Sequence, residues 1–94
     1  MARFGYEWDE VKRAANLEKH DIDFLALARF DWDGAWTKPD TRPAYDEARY
    51  IAYAMLDGRL HAVVFTPRGA IRRIISLRKA NRREQAAFQA RLRG

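Results

Sequence analysis

The sequence contains no cysteine, and this absence excludes several kinds of chemistry at once. Disulfide bonds, thiolate nucleophiles and cysteine-based zinc sites all require that side chain. No apolar run approaches the roughly 20 residues of a membrane span, and the first ten residues lack the pattern of a secretory signal. We therefore expect a cytoplasmic protein that does not associate with a membrane.

Glycine and histidine are also scarce, and those present are scattered along the chain. The five glycines form no glycine-rich phosphate loop. The two histidines lack the spacing of metal ligands, and the apolar neighbours of His61 are typical of a packing histidine. We therefore expect no dedicated metal site and no cofactor.

What the chain has in abundance is arginine, concentrated in its second half. The 94 residues carry a net charge of +5, and residues 48–94 hold 2 acidic and 11 basic side chains, ten of them arginine. The guanidinium group matches phosphate oxygens two at a time, so this bias favours a nucleic-acid partner. The alternative is a GC-rich genome that encodes arginine wherever any solvated base would serve.

The hydrophobic pattern predicts one α+β domain spanning residues 1–94. A short strand precedes a helix that begins after Asp9 and ends near His20, and a second short helix covers 24–30. After an irregular stretch with room for a strand near Trp36, three strands form an antiparallel meander before a final helix over 80–93. Asp57-Gly58 predicts a two-residue hairpin turn in which Leu56 faces Arg59.

The third strand of the meander, 71–78, carries the first candidate site. Simple alternation places Arg72, Ser76 and Arg78 on one side, opposite Arg73. Three further bases continue this ledge as candidate RNA contacts: Lys79, Arg82 and Arg83. Such a ledge can hold a phosphate, although solvated charge on an edge strand that prevents aggregation would look similar.

Two more groups of polar residues are candidates for acid–base chemistry. Glu47 lies just before the first strand of the meander, which begins at Arg49, and nearby arginines would keep its carboxylate ionised as a base. Lys19 and His20 end the first helix and could donate a proton or bind phosphate. The alternatives are an ordinary surface acid and bases that offset the helix dipole.

The order of these motifs along nearly the whole chain resembles the BrnT family of toxins. The first half contributes Tyr6-Glu7-Trp8-Asp9-Glu10, then Lys12, Asn16, Lys19-His20 and Phe24. The second half contributes Glu47-x-Arg49, Asp57-Gly58-Arg59-Leu60, Val64-Phe65-Thr66, Arg73-Ile74-Ile75-Ser76-x-Arg78-Lys79-Ala80 and Arg83-Glu84. Three positions depart from the family pattern: Asp21, Leu77 and Phe88 stand where glycine, alanine and tyrosine are usual.

The resemblance implies a small ribonuclease with a RelE-like fold. It further implies inhibition by a BrnA-type antitoxin, a ribbon-helix-helix protein through which the complex binds and represses its own operator DNA. The polar positions of the pattern are Lys19, His20, Glu47, Arg49, Arg73, Ser76 and Arg78.

Together these features predict a metal-independent endoribonuclease in which the RNA 2′-hydroxyl attacks the adjacent phosphodiester. Glu47 or His20 would move protons, and Ser76 would orient an oxygen. Arg49, Arg73 and Arg78 would converge on one phosphate and offset its developing charge. The alternatives are a nucleic-acid-binding or regulatory module without catalysis, and an interaction protein that docks an acidic partner.

Overall fold

The computed structural model describes residues 5–41 and 47–94, in which five strands form one mixed sheet. The spatial order is β1-β5-β4-β3-β2, with β1 parallel to β5 and the other pairs antiparallel. Their bounds are β1 Gly5–Glu7, β2 Trp36–Pro39, β3 Tyr50–Leu56, β4 Arg59–Arg68 and β5 Ile71–Lys79. The predicted meander is therefore the centre of a wider sheet, and the strand near Trp36 is confirmed.

Two α-helices and two 3₁₀ helices complete the described fold. These are α1 Glu10–His20, the 3₁₀ helices Phe24–Arg29 and Trp32–Gly34, and α2 Arg82–Arg93. The segment after Asp23 is thus a 3₁₀ helix rather than an α-helix, although Asp23 caps it as a helix start. None of the described helices is long and apolar enough to cross a membrane.

The hairpin between β3 and β4 has the predicted register, with Leu56 opposite Arg59. Asp57 and Gly58 both have positive φ angles, 52° and 81°. This is the backbone of a two-residue type I′ turn, whose twist matches that of the flanking strands. The local sequence therefore fixes the alignment of the two central strands.

The faces of the sheet differ in how they are covered. The face packed against the first 3₁₀ helix, here called the closed face, buries the larger cluster, built around Phe24, Leu27, Val63, Phe65 and Leu77. The opposite face, here called the open face, packs against α2 through Phe88. Within Arg82–Arg93, Phe88 is the one buried residue, so α2 covers the open face lightly. Polar side chains on this face can therefore reach solvent.

A β-bulge in β5 overturns the simple alternation expected for this strand. Val64 of β4 pairs with Ser76 but the next residue, Phe65, pairs with Ile74, so β5 contains one extra residue. From Ile74 back to Ile71, each side chain therefore lies on the face opposite to the one that regular alternation from Ser76 would give it. Arg73 therefore shares the open face with Ser76 and Arg78, whereas Arg72 turns to the closed face.

Helix α1 covers the part of the β5 edge that β1 leaves open. Strand β1 pairs with residues 71–73 of β5. Beyond them, the Asn16 amide donates to the Leu77 carbonyl at 2.8 Å and accepts from the Leu77 N–H at 3.1 Å. Asn16 is 7% exposed and is the one buried residue within Glu10–His20. Its side chain replaces a neighbouring strand and fixes α1 beside Ser76.

Candidate active site on the open sheet face

Three polar levels follow one another along the open face. Thr66 of β4 faces Arg73, Val64 faces Ser76, and Ala62 faces Arg78. Successive levels are two β4 residues apart, or about 7 Å at the usual rise of a strand. The bulge thus arranges two arginines and a serine in a row along one side of β5.

The first level is a network of opposite charges. The Nη1 atoms of Arg73 and Arg68 lie 3.7 and 3.6 Å from Oε1 of Glu7 in β1. The Nη2 atom of Arg68 lies 3.2 Å from Oε2 of Glu47. Because Ile51 lies on the open face, the alternation of β3 directs Arg49 to the same face at this level. These ion pairs gather Glu47 and Arg73 at one end of the open face, and the alternation assigns Arg49 to the same end.

Thr66 lies in the same row and is 3% exposed. Its Oγ1 has no hydrogen-bond partner among the residues that the structure describes. A buried hydroxyl normally finds a partner, because leaving it unpaired costs about 1–3 kcal/mol. Thr66 thus adds an unsatisfied polar atom to the level of Arg73, and no charge pattern in the sequence indicates it.

The second level opens into a groove between α1 and β5. The groove has a volume of about 200 Å³, and its polar lining includes Lys12, Lys19, His20 and Ser76. Lys12, Asn16 and Lys19 share one face of α1 because they are four and three residues apart. Three of the sequence-predicted site residues, Lys19, His20 and Ser76, therefore line one groove. Lys12 is a fourth lining residue that this spacing already indicates.

The environment of His20 favours its neutral form. Partial burial lowers the pKa of the imidazole, and the positive charges of Lys19 and Arg78 lower it further. A neutral imidazole can accept a proton at neutral pH, which an imidazolium cannot. The lining of the groove thus includes a proton acceptor among cations.

At the third level Arg78 forms a two-pronged ion pair with Glu84 of α2. The Nη1 and Nη2 atoms lie 2.7 and 2.9 Å from the two carboxylate oxygens. The Tyr53 hydroxyl and the Asn81 N–H also donate to this carboxylate, at 3.0 and 2.9 Å. The Arg78 hydrogen bonds are the largest cause that lowers the pKa of Glu84 to about 2. Glu84 therefore stays ionised and anchors Arg78 to the start of α2.

The three arginines consequently share a face but do not converge on one phosphate. Arg73 is drawn toward Glu7 at one end and Arg78 toward Glu84 at the other, two levels apart. The expectation of a single shared pocket is therefore wrong in this structure. The reason is that neither carboxylate partner is visible from the arrangement of bases along the sequence.

The expected ledge is also wrong at Arg72. Its guanidinium carbon lies over the rings of Trp32 and Phe65 on the closed face, 4.1 and 5.3 Å from the ring centres. Burial lowers the pKa of this guanidinium. Arg72 thus packs within the aromatic core, away from Ser76 and Arg78. The other candidate RNA contacts, Lys79, Arg82 and Arg83, are exposed where β5 ends and α2 begins.

These features define a small α+β protein with a basic, grooved sheet face suited to a phosphate-bearing ligand. Residues 8–84 match the family described as the ribonuclease toxin BrnT of type II toxin-antitoxin systems. The chain therefore belongs to the BrnT family, which confirms the resemblance found in the sequence. This family implies an RNA target and an antitoxin partner. Comparison with curated proteins gives no match.

Proposed function

We propose that this chain cleaves RNA without a metal ion, by attack of the 2′-hydroxyl on the adjacent phosphodiester. The observation that carries the proposal is the groove in which His20, Lys19 and Ser76 lie together beside Arg78. A proton acceptor, cations and a hydroxyl are the groups that this reaction needs around its phosphate.

His20 is the preferred general base in this proposal. Its lowered pKa keeps the imidazole neutral, so it accepts the proton of the 2′-hydroxyl as the new P–O bond forms. The P–O5′ bond breaks in the same step, Lys19 donates a proton to the leaving 5′-oxygen, and Ser76 donates a hydrogen bond to a non-bridging phosphate oxygen. Glu47 remains the alternative base, but its ion pair with Arg68 at the first level makes it the weaker candidate.

The cations of the open face offset the charge that develops on the phosphate. Lys12 and Lys19 line the groove, and Arg78 is near enough to His20 to lower its pKa. Arg49 and Arg73 lie one level away and hold the neighbouring phosphate of the strand. In this proposal the basic face thus binds consecutive phosphates of the RNA backbone rather than one phosphate.

The test is cleavage of a defined RNA by the purified chain in the presence of EDTA. We expect cleavage to continue and to leave a 2′,3′-cyclic phosphate. His20→Gln should reduce the rate by about 10²-fold or more, which is the usual contribution of a general base. Glu18→Gln, an exposed change on the same helix, is the control.

Two outcomes would contradict the proposal. Loss of cleavage in EDTA with recovery in magnesium would require a metal ion. RNA binding with no cleavage under any condition would favour the non-catalytic nucleic-acid-binding module instead, in which Arg73→Ala and Arg78→Ala merely weaken binding and its salt dependence.

We further propose that the antitoxin is a BrnA-type ribbon-helix-helix protein encoded beside this chain. It would cover the basic face and carry the complex to its operator DNA. Expression of the chain alone should arrest growth and degrade RNA, and co-expression of the neighbouring gene should relieve both effects. Relief without formation of a complex would contradict direct neutralisation.

A further inference from the structure

Thr66 lies between two arginines at the first level of the open face. It pairs with Arg73 of β5 on one side. On the other side, the pairing of Tyr50 with Phe65, continued by one residue, puts Arg49 opposite Thr66. Side chains paired across strands in this way project from the same face, with their Cβ atoms about 4.5–5.5 Å apart. Thr66 is therefore the middle member of a row that has a cation on each side.

The hydroxyl of Thr66 is a hydrogen-bonding group that the described part of the chain leaves unused. The residue is 3% exposed, and its Oγ1 atom has no partner within residues 5–41 and 47–94. A valine has nearly the same shape and would avoid the cost of an unpaired hydroxyl, so the packing of β4 does not account for a threonine here. A donor among arginines suits an anion with several oxygens, such as a phosphodiester.

Arg73 is held loosely enough to bind such an anion. Its Nη1 atom lies 3.7 Å from Oε1 of Glu7, which is longer than a hydrogen bond. Arg78, by contrast, contacts Glu84 at 2.7 and 2.9 Å. The carboxylate of Glu7 also lies 3.6 Å from Arg68 and is 41% exposed, so two arginines share it and it can turn to solvent. A phosphate can therefore replace Glu7 at Arg73 without breaking a short ion pair.

The direction of α1 relates this level to the groove. The helix begins shortly after β1, whose last residue pairs with Arg73, and ends at His20, where the charge of Arg78 acts on the imidazole. In the proposed reaction His20 takes the proton of the 2′-hydroxyl, which belongs to the nucleotide on the 5′ side of the cleaved phosphate. The 5′ side of the strand therefore lies at the Arg78 end, and the strand continues in the 3′ direction toward Arg73.

We propose that Thr66 and Arg73 form a second phosphate subsite, which binds the phosphate on the 3′ side of the cleaved one. This inference rests on the proposed function, which supplies the strand and its direction. The guanidinium of Arg73 leaves Glu7 to contact this phosphate, and the movement uncovers the Thr66 hydroxyl, which donates to a non-bridging oxygen. The subsite lies one level, or about 7 Å, from Ser76, a span that one nucleotide bridges. Cleavage therefore favours an RNA that continues beyond the leaving nucleoside.

The test is the affinity of the full chain for three thymidine dinucleotides, measured by NMR titration. The first has only its internal phosphate, the second has an additional 3′-terminal phosphate, and the third has an additional 5′-terminal phosphate. These deoxy compounds lack the 2′-hydroxyl that attacks in the proposed reaction, so they report binding alone. The 3′-terminal phosphate should raise the affinity about tenfold and shift the amides of Thr66 and Arg73, whereas the 5′-terminal phosphate should raise it by less than about threefold.

Thr66→Val removes the hydroxyl and keeps the shape of the side chain. It should abolish the tenfold gain from the 3′-terminal phosphate and leave the affinity for the other two dinucleotides within about twofold. It should also raise the melting temperature by about 4 °C or more, because the unpaired buried hydroxyl is gone. Thr37→Val, an exposed change on β2, is the matched control and should alter neither property.

A second variant acts in the opposite direction. Glu7→Gln removes the carboxylate that competes with the phosphate for Arg73, and should increase the gain from the 3′-terminal phosphate about twofold or more. Glu18→Gln, which makes the same change of charge at an exposed position of α1, should leave this gain as it is in the unchanged chain.

Two results would overturn this subsite without touching the proposed function, whose test is cleavage in EDTA. The first is an equal gain from the 3′- and 5′-terminal phosphates, which general attraction to a basic face would produce. The second is a Thr66→Val chain that keeps the tenfold gain or melts at a lower temperature, since the hydroxyl would then already have a partner in the free protein. A chain that binds none of the three dinucleotides would overturn the subsite and the phosphate groove together.

Discussion

The side chain of Asn16 offers the sharpest test of how the candidate site is held together. Asn16→Ala removes three hydrogen bonds of the side-chain amide. The amide oxygen accepts from the Leu77 N–H at 3.1 Å, and the amide nitrogen donates to the carbonyls of Leu77 and Ile22 at 2.8 and 3.2 Å. Both groups of Leu77 are buried, so water does not replace the amide readily. Helix α1 and the edge of β5 then lose the hydrogen bonds that join them.

The expected cost follows from these three bonds. Each hydrogen bond contributes about 1 kcal/mol net, and a buried group left unpaired costs about 1–3 kcal/mol, so we expect a loss of about 3 kcal/mol. A domain of this size has roughly 5–15 kcal/mol of stability in total. At about 4–8 °C per kcal/mol, the melting temperature should fall by roughly 12–24 °C.

Urea unfolding measures the loss directly, and Gln89→Ala is its control because Gln89 is an exposed amide on α2. Hydrogen exchange adds a local readout, since the Leu77 N–H should lose its protection in Asn16→Ala well before the central strands unfold. A loss below about 1 kcal/mol, or a Leu77 amide that stays protected, would show that Asn16 does not replace a strand.

Three further predictions concern charge, catalysis and the hairpin. The pKa of Glu84 falls from 4.5 to about 2 on folding, so its ionised carboxylate adds to the free energy of unfolding above pH 4.5, and this stabilisation is lost as the pH drops toward 2. Glu84→Gln should therefore flatten this part of an acid-unfolding curve. With His20 as base, the cleavage rate should fall on the acid side at a pH below 6.5, since burial and nearby cations lower this pKa, and His20→Gln should remove that step. Gly58→Ala meets no neighbouring atom but keeps a φ of 81°, so urea unfolding should show a loss of about 1 kcal/mol from backbone strain alone.

Features encoded locally could be predicted from the sequence. Asp9 accepts from the Val11 N–H at 2.8 Å as the expected helix cap, and Asp21 takes the left-handed backbone, with φ 57°, at the end of α1. The Asp57-Gly58 turn fixed the register of β3 and β4 because its backbone suits few residue pairs. His61 is buried with its Nδ1 2.8 Å from the Arg59 carbonyl, as expected of a packing histidine.

Features that depend on distant partners could not be predicted in this way. The ion pair between Arg78 and Glu84 depends on where α2 begins, and the Asn16 bonds join residues 61 positions apart. The sequence therefore indicates which residues are candidates but not how they are arranged. The single-phosphate expectation did not anticipate that Glu7 and Glu84 draw two of the arginines to opposite ends of the open face.

The bulge in β5 yields a last prediction about how the open face is built. Ile74 and Ile75 are adjacent and identical, so deleting either one gives the same sequence and removes the extra residue opposite β4. Regular alternation of the shortened strand then keeps Arg73, Ser76 and Arg78 on the open face and Arg72 on the closed face. The shortened chain should therefore fold and keep the contact between Arg72 and Trp32, which tryptophan fluorescence reports. It should bind inorganic phosphate more weakly, because the deletion removes one residue from the part of β5 where Ile75 lines the groove. Deleting Val63 should unfold the domain, because β4 has no extra residue opposite β3 and the deletion reverses the faces of one half of the strand. Equal unfolding of the two deletions would show that the bulge is needed for folding itself and not merely for shaping the groove.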